Sequence, residues 1–252
     1  MKLTFLGTGT SVGVPVISCN CPVCKSTNPK NKRLRPSVLL QVQGKNILID
    51  ASTDLRQQAL RFSINGINAV LFTHSHADHI FGLDEMRIYN FFQAEEIPCF
   101  GNEDTIRRLK NIFSYLFSQS EYWGHRPSIS LNVVKEKFLL FGKEIIPVEV
   151  MHGKQKILGY RIDDLAYITD CSAILSDSLS LLKSLNVLII NALRHKPHPT
   201  HFSLSQALEI IEVIKPQRAF LTHLSHDFDY DETRKMLPGN VELAYDGLAI
   251  ET

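Results

Sequence analysis

Short apolar runs broken by turn residues dominate the first half of the chain. Residues 3–6, 38–43, 47–50 and 69–72 are rich in β-formers and lack helical spacing, so each reads as a strand. The second and third pair as a hairpin around Gly44-Lys45-Asn46. Asp54 is placed to cap a helix reaching about Ser63. Residues 84–93 read as a helix, and so do 104–118, where Ile106, Leu109, Ile112, Phe113, Leu116 and Phe117 recur at helical spacing and predict a core-facing stripe. Further along, 138–141 with 145–150 predicts a hairpin turning at Gly142, and 158–162 with 165–169 predicts another. Residues 203–214 predict an amphipathic helix with Ser203 as cap and Gln206 three positions on. Residues 218–222 return to strand. Between the first two strands lies a polar excursion, 14–37, that is long for a loop in a compact domain. No repeat, low-complexity tract or linker interrupts the chain, which reads as one domain over 1–252. Strands with single helices inserted, in two similar halves, predict an α/β fold: two sheets with helices packed outside, a four-layer αβ/βα sandwich.

Composition narrows the classes of function. The chain has 252 residues and is 44% hydrophobic, so a sizeable core can be buried. Lys and Arg total 27 against 26 Asp and Glu, a balance that argues against bulk polyanion binding but leaves room for a local basic patch. No apolar run approaches the roughly 20 residues that span a bilayer. The opening residues 1–7 are too short, and too soon broken by glycine, for a secretory signal, so the cytoplasm is the expected compartment. Three of the five cysteines crowd together, which points to metal rather than disulfides. Cys99 and Cys171 read as small buried apolar residues. Trp123 reads either as core or as pocket lining.

The chemistry is concentrated in His74-Ser75-His76-Ala77-Asp78-His79, directly after the run 69–72. A buried strand would deliver these donors to its carboxyl end, where layered α/β folds place ligand sites. Imidazole and carboxylate donors suit zinc or manganese. The same order of strand followed by ligand recurs at His152, Asp170 and His223. Together these residues supply two donor sets: His74, His76 and His152 for one ion, Asp78, His79 and His223 for a second, with Asp170 able to bridge them. Two ions about 3.5–4 Å apart can share a hydroxide and clamp a displacement at phosphorus or carbonyl carbon. Asp50 closes a strand and either orients a ligand imidazole from behind or serves a turn. Cys19, Cys21 and Cys24 form a C-x-C-x-x-C cluster that needs a fourth ligand to close a tetrahedral zinc site, with His226 and His125 as the candidates. Such a site would explain how 14–37 stays ordered. Thr8-Gly9-Thr10 is not a Walker loop, since no Gly-Lys-Ser/Thr follows, and reads as a tight turn close to the site.

The His-x-His-x-Asp-His motif, with His152, Asp170 and His223 in that order, resembles the metallo-β-lactamase superfamily of dinuclear hydrolases. Cys19, Cys21, Cys24 and His226 fall on the structural-zinc pattern of its phosphoribosyl cyclic phosphate phosphodiesterases, the PhnP type. That resemblance implies two divalent ions, zinc or manganese, plus one structural zinc. It also implies hydrolysis of a small phosphodiester, cyclic ones included, by a hydroxide bridging the metals, with Asp78 and His201 as catalytic residues. His201 falls where phosphodiesterase members contact the scissile phosphate, stabilising charge or protonating the leaving oxygen, and His195 and His198 are its rivals. Three other readings stay open. A tRNase Z-like nuclease would be expected to carry a long tRNA-gripping insertion, yet little more than a hairpin separates His152 from Asp170. A lactamase or thioester hydrolase leaves the cysteine loop unexplained. A non-catalytic member of the fold is the third. The expected partner is a small-molecule phosphodiester and no membrane; nucleic acid and a homodimer are lesser expectations.

Overall fold

The computed structural model of the protein describes residues 1–117 and 128–252. Trp123, His125 and the end of the helix expected over 104–118 lie outside the described residues. The apolar runs form two seven-stranded sheets. The first holds β1 (Lys2–Gly7), β2 (Ser37–Val42), β3 (Lys45–Ile49), β4 (Ala69–Leu71), β5 (Ile97–Gly101) and β6 (Ile129–Val133). The second holds β7 (Phe138–Leu140), β8 (Lys143–His152), β9 (Gln155–Ile162), β10 (Leu165–Ile168), β11 (Val187–Asn191), β12 (Arg218–Thr222) and β13 (Val241–Leu243). A last strand, β14 (Ala249–Glu251), returns to the first sheet beside β1.

The strand orders are β14-β1-β2-β3-β4-β5-β6 and β13-β12-β11-β10-β9-β8-β7. In each sheet the meander pairs antiparallel, and the strands separated by crossovers pair parallel. The two expected halves are therefore two mixed sheets of similar build. Their facing sides share one core that includes Phe5 and Leu40 from the first sheet and Tyr160, Tyr167, Ile189 and Phe220 from the second. The outer face of the first sheet is covered by the helices Leu55–Arg61, Met86–Gln93 and Glu103–Ile112. The outer face of the second is covered chiefly by Leu204–Ile214. This is the four-layer αβ/βα sandwich.

Local details depart from the sequence reading for physical reasons. The β2–β3 turn is Gln43-Gly44 rather than Gly44-Lys45-Asn46, because both residues take the positive φ (48° and 77°) of a two-residue hairpin. Phe141-Gly142 repeats this device between β7 and β8. Asp54 stands at the N-cap position but makes no cap hydrogen bond. Its carboxylate instead accepts from the Arg35 backbone amide (2.8 Å) and guanidinium (2.9 Å). The helix expected from 104 starts at Glu103, capped by the Asn102 side chain, and ends at Ile112; a separate turn, Ser114–Phe117, follows. The stretch 84–93 is a 3-10 turn, Leu83–Glu85, leading into the helix Met86–Gln93. Ser203 and Gln206 form the expected capping box.

The excursion 14–37 is built rather than structureless. It contains the short helix Pro22–Lys25 and the 3-10 turn Pro29–Asn31. Val14 and Arg33 exchange backbone hydrogen bonds (2.8 and 2.7 Å). The buried Arg33 guanidinium donates to the carbonyls of Ser225 (2.9 Å) and Phe228 (2.7 Å). Burial lowers its pKa to about 10, partly offset by Asp246 and Asp229, so it remains charged near neutrality. Gly7 and Gly9 lie where this excursion crosses β1: a Cβ on Gly7 would stand 2.0 Å from the Arg35 carbonyl oxygen, and one on Gly9 would stand 2.8 Å from that of Arg33. No helix among the described residues is long and apolar enough to cross a membrane.

Candidate metal centre

The strand ends converge on one edge of the sandwich. His74 follows β4, Asp50 follows β3, His152 closes β8, Asp170 follows β10 and His223 follows β12. Asp78 and His79 sit on the one-turn helix Ala77–Ile80, just past β4. Asp50, Asp170 and His223 all adopt the left-handed backbone conformation (φ 64°, 54° and 56°). Non-glycine residues in that region are uncommon and cluster at functional sites.

Two groups of donor atoms result, each with all its members within 4.8 Å of one another: His74, His76, His152 and Asp170, and Asp78, His79, Asp170 and His223. Asp170 belongs to both. Its Oδ1 lies 3.4 Å from His79 Nε2 and 3.1 Å from His223 Nδ1, while its Oδ2 lies 3.8 Å from His74 Nε2. Apart from the exposed His76, the donors are buried. His74 Nε2, Asp78 Oδ2, His79 Nε2 and His223 Nδ1 are fully enclosed, yet none has a hydrogen-bond partner. His79 Nε2 and Asp78 Oδ2 are 3.2 Å apart without hydrogen-bond alignment, so this proximity satisfies neither. Orphaned buried polar atoms are costly. Such orphans, three in the group around His223 and one in the group around His74, are imidazole and carboxylate donors of the kind that divalent zinc or manganese takes.

The imidazoles are oriented from behind. Asp50 Oδ2 accepts from His79 Nδ1 at 2.7 Å, and the same carboxylate accepts from the Thr73 amide and hydroxyl, both at 2.8 Å. The Asp50 carboxylate therefore holds the His79 ring by its Nδ1 side and leaves Nε2 turned away from it. The His152 Nδ1–H donates to the Asp170 carbonyl at 2.6 Å, which leaves Nε2 for the site.

Charge follows geometry. Burial disfavours the charged form of His79, but Asp78, Asp170 and Asp50 outweigh it and raise its pKa well above the usual imidazole value. Burial, with His79 nearby, holds His74 well below that value. Burial, reinforced by His201 and His79, lowers His223 to about 4 despite Asp170. Asp170 is pushed up by burial, yet His223, His79 and a hydrogen bond from His201 hold it well below the carboxylate range. Carboxylates thus face mostly neutral rings, an environment that favours an added cation.

His201 approaches from the loop before Leu204–Ile214. Its Nε2 is 3.1 Å from Asp170 Oδ2, and its ring stacks on His223 at 4.9 Å. His195 packs against Phe228 instead, and His198 lies behind His201. A cleft of about 570 Å³ opens beside the centre, with Thr10, Arg194, Lys196, His198, His201 and His223 on its walls. A larger hollow, about 800 Å³, lies on the outer helix layer near Leu60 and Phe92, away from this chemistry.

Cys19, Cys21 and Cys24 gather around His226 Nδ1, with sulfurs at 3.3, 3.7 and 3.4 Å. Donors bound at about 2.0–2.3 Å in a tetrahedron stand about 3.5 Å apart, so the four fit one zinc ion. The Val16 amide donates to Cys24 Sγ (3.3 Å) and the Cys24 amide to Cys21 Sγ (3.4 Å). His226 is three residues past His223, and Arg33 ties the intervening loop to the cysteine excursion. Cys99 and Cys171 are buried, as expected.

Sequence reasoning missed Asn191. Its buried amide clamps one residue: Oδ1 accepts from the Cys171 amide (2.7 Å) and Nδ2 donates to the Cys171 carbonyl (3.1 Å), just after Asp170. The same carbonyl accepts from the Phe202 amide (2.7 Å), which fixes the neighbour of His201. The signal was available: a Val-Leu-Ile-Ile run ending in a polar residue, the pattern that marks the ligands.

Residues 45–224 match the beta-lactamase superfamily domain. The structure superimposes on a crystal structure of a diphosphatase from the PhnP family with a TM-score of 0.93 and 45% identity, over 100% of this chain and 97% of that one. The chain belongs to the beta-lactamase superfamily, in its PhnP family. It is also 38% identical, over 98% of its length, to an octanoyltransferase of Porphyromonas gingivalis, but it spans only 51% of that relative. A ribonuclease Z of Methanococcus maripaludis is 29% identical over 48% of this chain and 36% of the relative. Human tRNase Z, short form, shares the fold with a TM-score of 0.70 and 19% identity, over 100% of this chain and 99% of that one.

Proposed function

We propose that the chain is a metal-dependent phosphodiesterase acting on a small phosphodiester, cyclic ones included. The observation that carries this reading is Asp170, whose two oxygens face two donor groups and which is, among the described residues, the one carboxylate common to both. His74, His76, His152 and Asp170 would hold one divalent ion, and Asp78, His79, Asp170 and His223 a second. Cys19, Cys21, Cys24 and His226 would hold a structural zinc. When bound, the paired ions supply an activated water and positive charge against the phosphoryl oxygens. The chain does the rest. Asp78, held below the usual carboxylate range by His79 and His223 despite its burial, accepts a hydrogen bond from the attacking water. His201 Nε2–H donates to oxygen where charge develops. Arg194 and Lys196 make the cleft wall attractive to anions. Water adds to phosphorus, the bond to the leaving oxygen breaks, and monoester and alcohol result.

The cleft volume and the PhnP-family diphosphatase support a small phosphorus-containing substrate. The ribonuclease Z relatives favour a second reading, cleavage of precursor tRNA. Against it, β8 and β9 are joined by a turn of only Gly153 and Lys154, so this hairpin bears no RNA-gripping arm. The test is a panel of cyclic diesters, linear diesters, diphosphates and precursor tRNA, run with zinc- and manganese-loaded protein at several salt concentrations. Turnover of small diesters is expected. Salt-sensitive cleavage of tRNA alone would replace this reading with the nuclease.

A further inference from the structure

Thr200 stands between two imidazoles. Its hydroxyl lies 2.8 Å from His201 Nδ1 and 3.1 Å from His198 Nδ1, and its amide donates to His198 Nδ1 at 3.3 Å. The backbone N–H can only donate, so His198 Nδ1 is an acceptor. On the far side of His201, Nε2 faces Asp170 Oδ2 at 3.1 Å, and an ionised carboxylate only accepts. That contact favours hydrogen on Nε2, and the partner on Nδ1 either reinforces or opposes the preference. In the neutral ring Nδ1 is then a bare lone pair with two close neighbours among the described residues, the Thr200 hydroxyl (2.8 Å) and His198 Nδ1 (3.3 Å); His198 Nδ1 is an acceptor, so the hydroxyl is the one with hydrogen to give. The opposite arrangement, with Thr200 donating to His198 and His201 protonated on Nδ1, would set the Nε2 lone pair against the Asp170 carboxylate.

We propose that Thr200 is a positioning residue that fixes His201 with its hydrogen on Nε2, the nitrogen turned toward the His/Asp centre. The inference deepens, and rests on, the role given to His201 in diester hydrolysis. A second observation fixes the hydroxyl's direction. A Cβ on Gly153 would stand 2.9 Å from the Thr200 methyl carbon, so that methyl occupies the space a side chain would take, one residue past His152. Methyl against Gly153 and hydroxyl against His201 together select one Thr200 rotamer. Threonine's two branches therefore have separate tasks, which substitution can separate.

Thr200→Val keeps the methyl and removes the hydroxyl; Thr200→Ser does the reverse. Long-range proton–nitrogen NMR of the imidazoles in metal-loaded protein reads the His201 tautomer, and kinetics on the best diester of the panel reads its consequence. The wild type and Thr200→Ser should show hydrogen on Nε2. Thr200→Val should shift His201 toward the Nδ1–H form and lower kcat about tenfold, the order of one lost hydrogen bond. KM should stay within about twofold. A Thr200→Val protein with the wild-type His201 signature would overturn the proposal, whatever its kcat. So would a Thr200→Ser protein that loses the Nε2–H signature. If the wild type hydrolyses no diester, the functional reading falls, while the ring signals still decide the part played by Thr200.

Discussion

The two donor clusters of this molecule are built on opposite plans. The Cys19, Cys21, Cys24 and His226 cluster draws three of its donors from six consecutive residues and is closed by a fourth. Two of its three sulfurs, those of Cys21 and Cys24, already accept from backbone amides. The His/Asp centre draws on the ends of strands in both sheets, shares one carboxylate between two groups, and opens onto a cleft. Closed thiolate-rich sites hold structure, whereas catalytic sites keep a position open. The first cluster can organise a loop with few long-range constraints, while the second needs the whole sandwich to exist. They are joined mechanically, because His223 and His226 share one loop that Arg33 clamps to the cysteine excursion.

Removing the shared carboxylate tests the contrast most severely. Asp170→Ala should lower kcat/KM on the best diester by about three orders of magnitude and reduce bound metal at the His/Asp centre, while the cysteine cluster keeps its equivalent. Metal counting alongside kinetics checks this; retained turnover would end the dinuclear reading. Cys24→Ser should do the converse. One metal equivalent is lost, amide exchange quickens across 14–37 and 223–230, and activity falls about 10- to 100-fold through the shared loop. Unchanged metal content would show that the thiols hold none. Asp50→Asn probes support from behind His79 and should cost about tenfold in activity or metal affinity with the fold intact by circular dichroism.

The smallest effect concerns Asp246, which ties the β1 turn to the cysteine excursion. Its carboxylate accepts from Thr8 (2.9 Å, amide; 2.8 Å, hydroxyl) and the Leu34 amide (2.7 Å). Burial pushes its pKa up to about 6, against those donors and Arg61. A carboxyl raised on folding gives its full stabilising contribution below the unfolded value near 3.8 and loses it as pH rises through about 6. The wild-type-minus-Asp246→Asn difference in Tm should therefore shrink between pH 4 and pH 7. A difference that grows over this range would reverse the assignment.

Much of this was legible in the chain because local chemistry announced it. His74 to His79 directly follow a strand run, and the cysteine spacing is a metal spacing. The strand-then-ligand rhythm recurs at His152, Asp170 and His223. Other parts were illegible because they depend on direction. His195, His198 and His201 look alike in sequence; packing against Phe228 removes one, and contact with Asp170 selects another. Asp54 looked like a cap until Arg35 took its carboxylate.

The order of donors along the chain, and hence the kinds of ion it can hold, is written in the sequence, since donor chemistry belongs to each side chain alone. The distances that gather those donors into two groups, the sides from which the two Asp170 oxygens meet them, and which histidine turns toward them were decided only by tertiary structure. These are distances between residues far apart in the chain, set by two sheets packing face to face and by three strand ends held in left-handed turns.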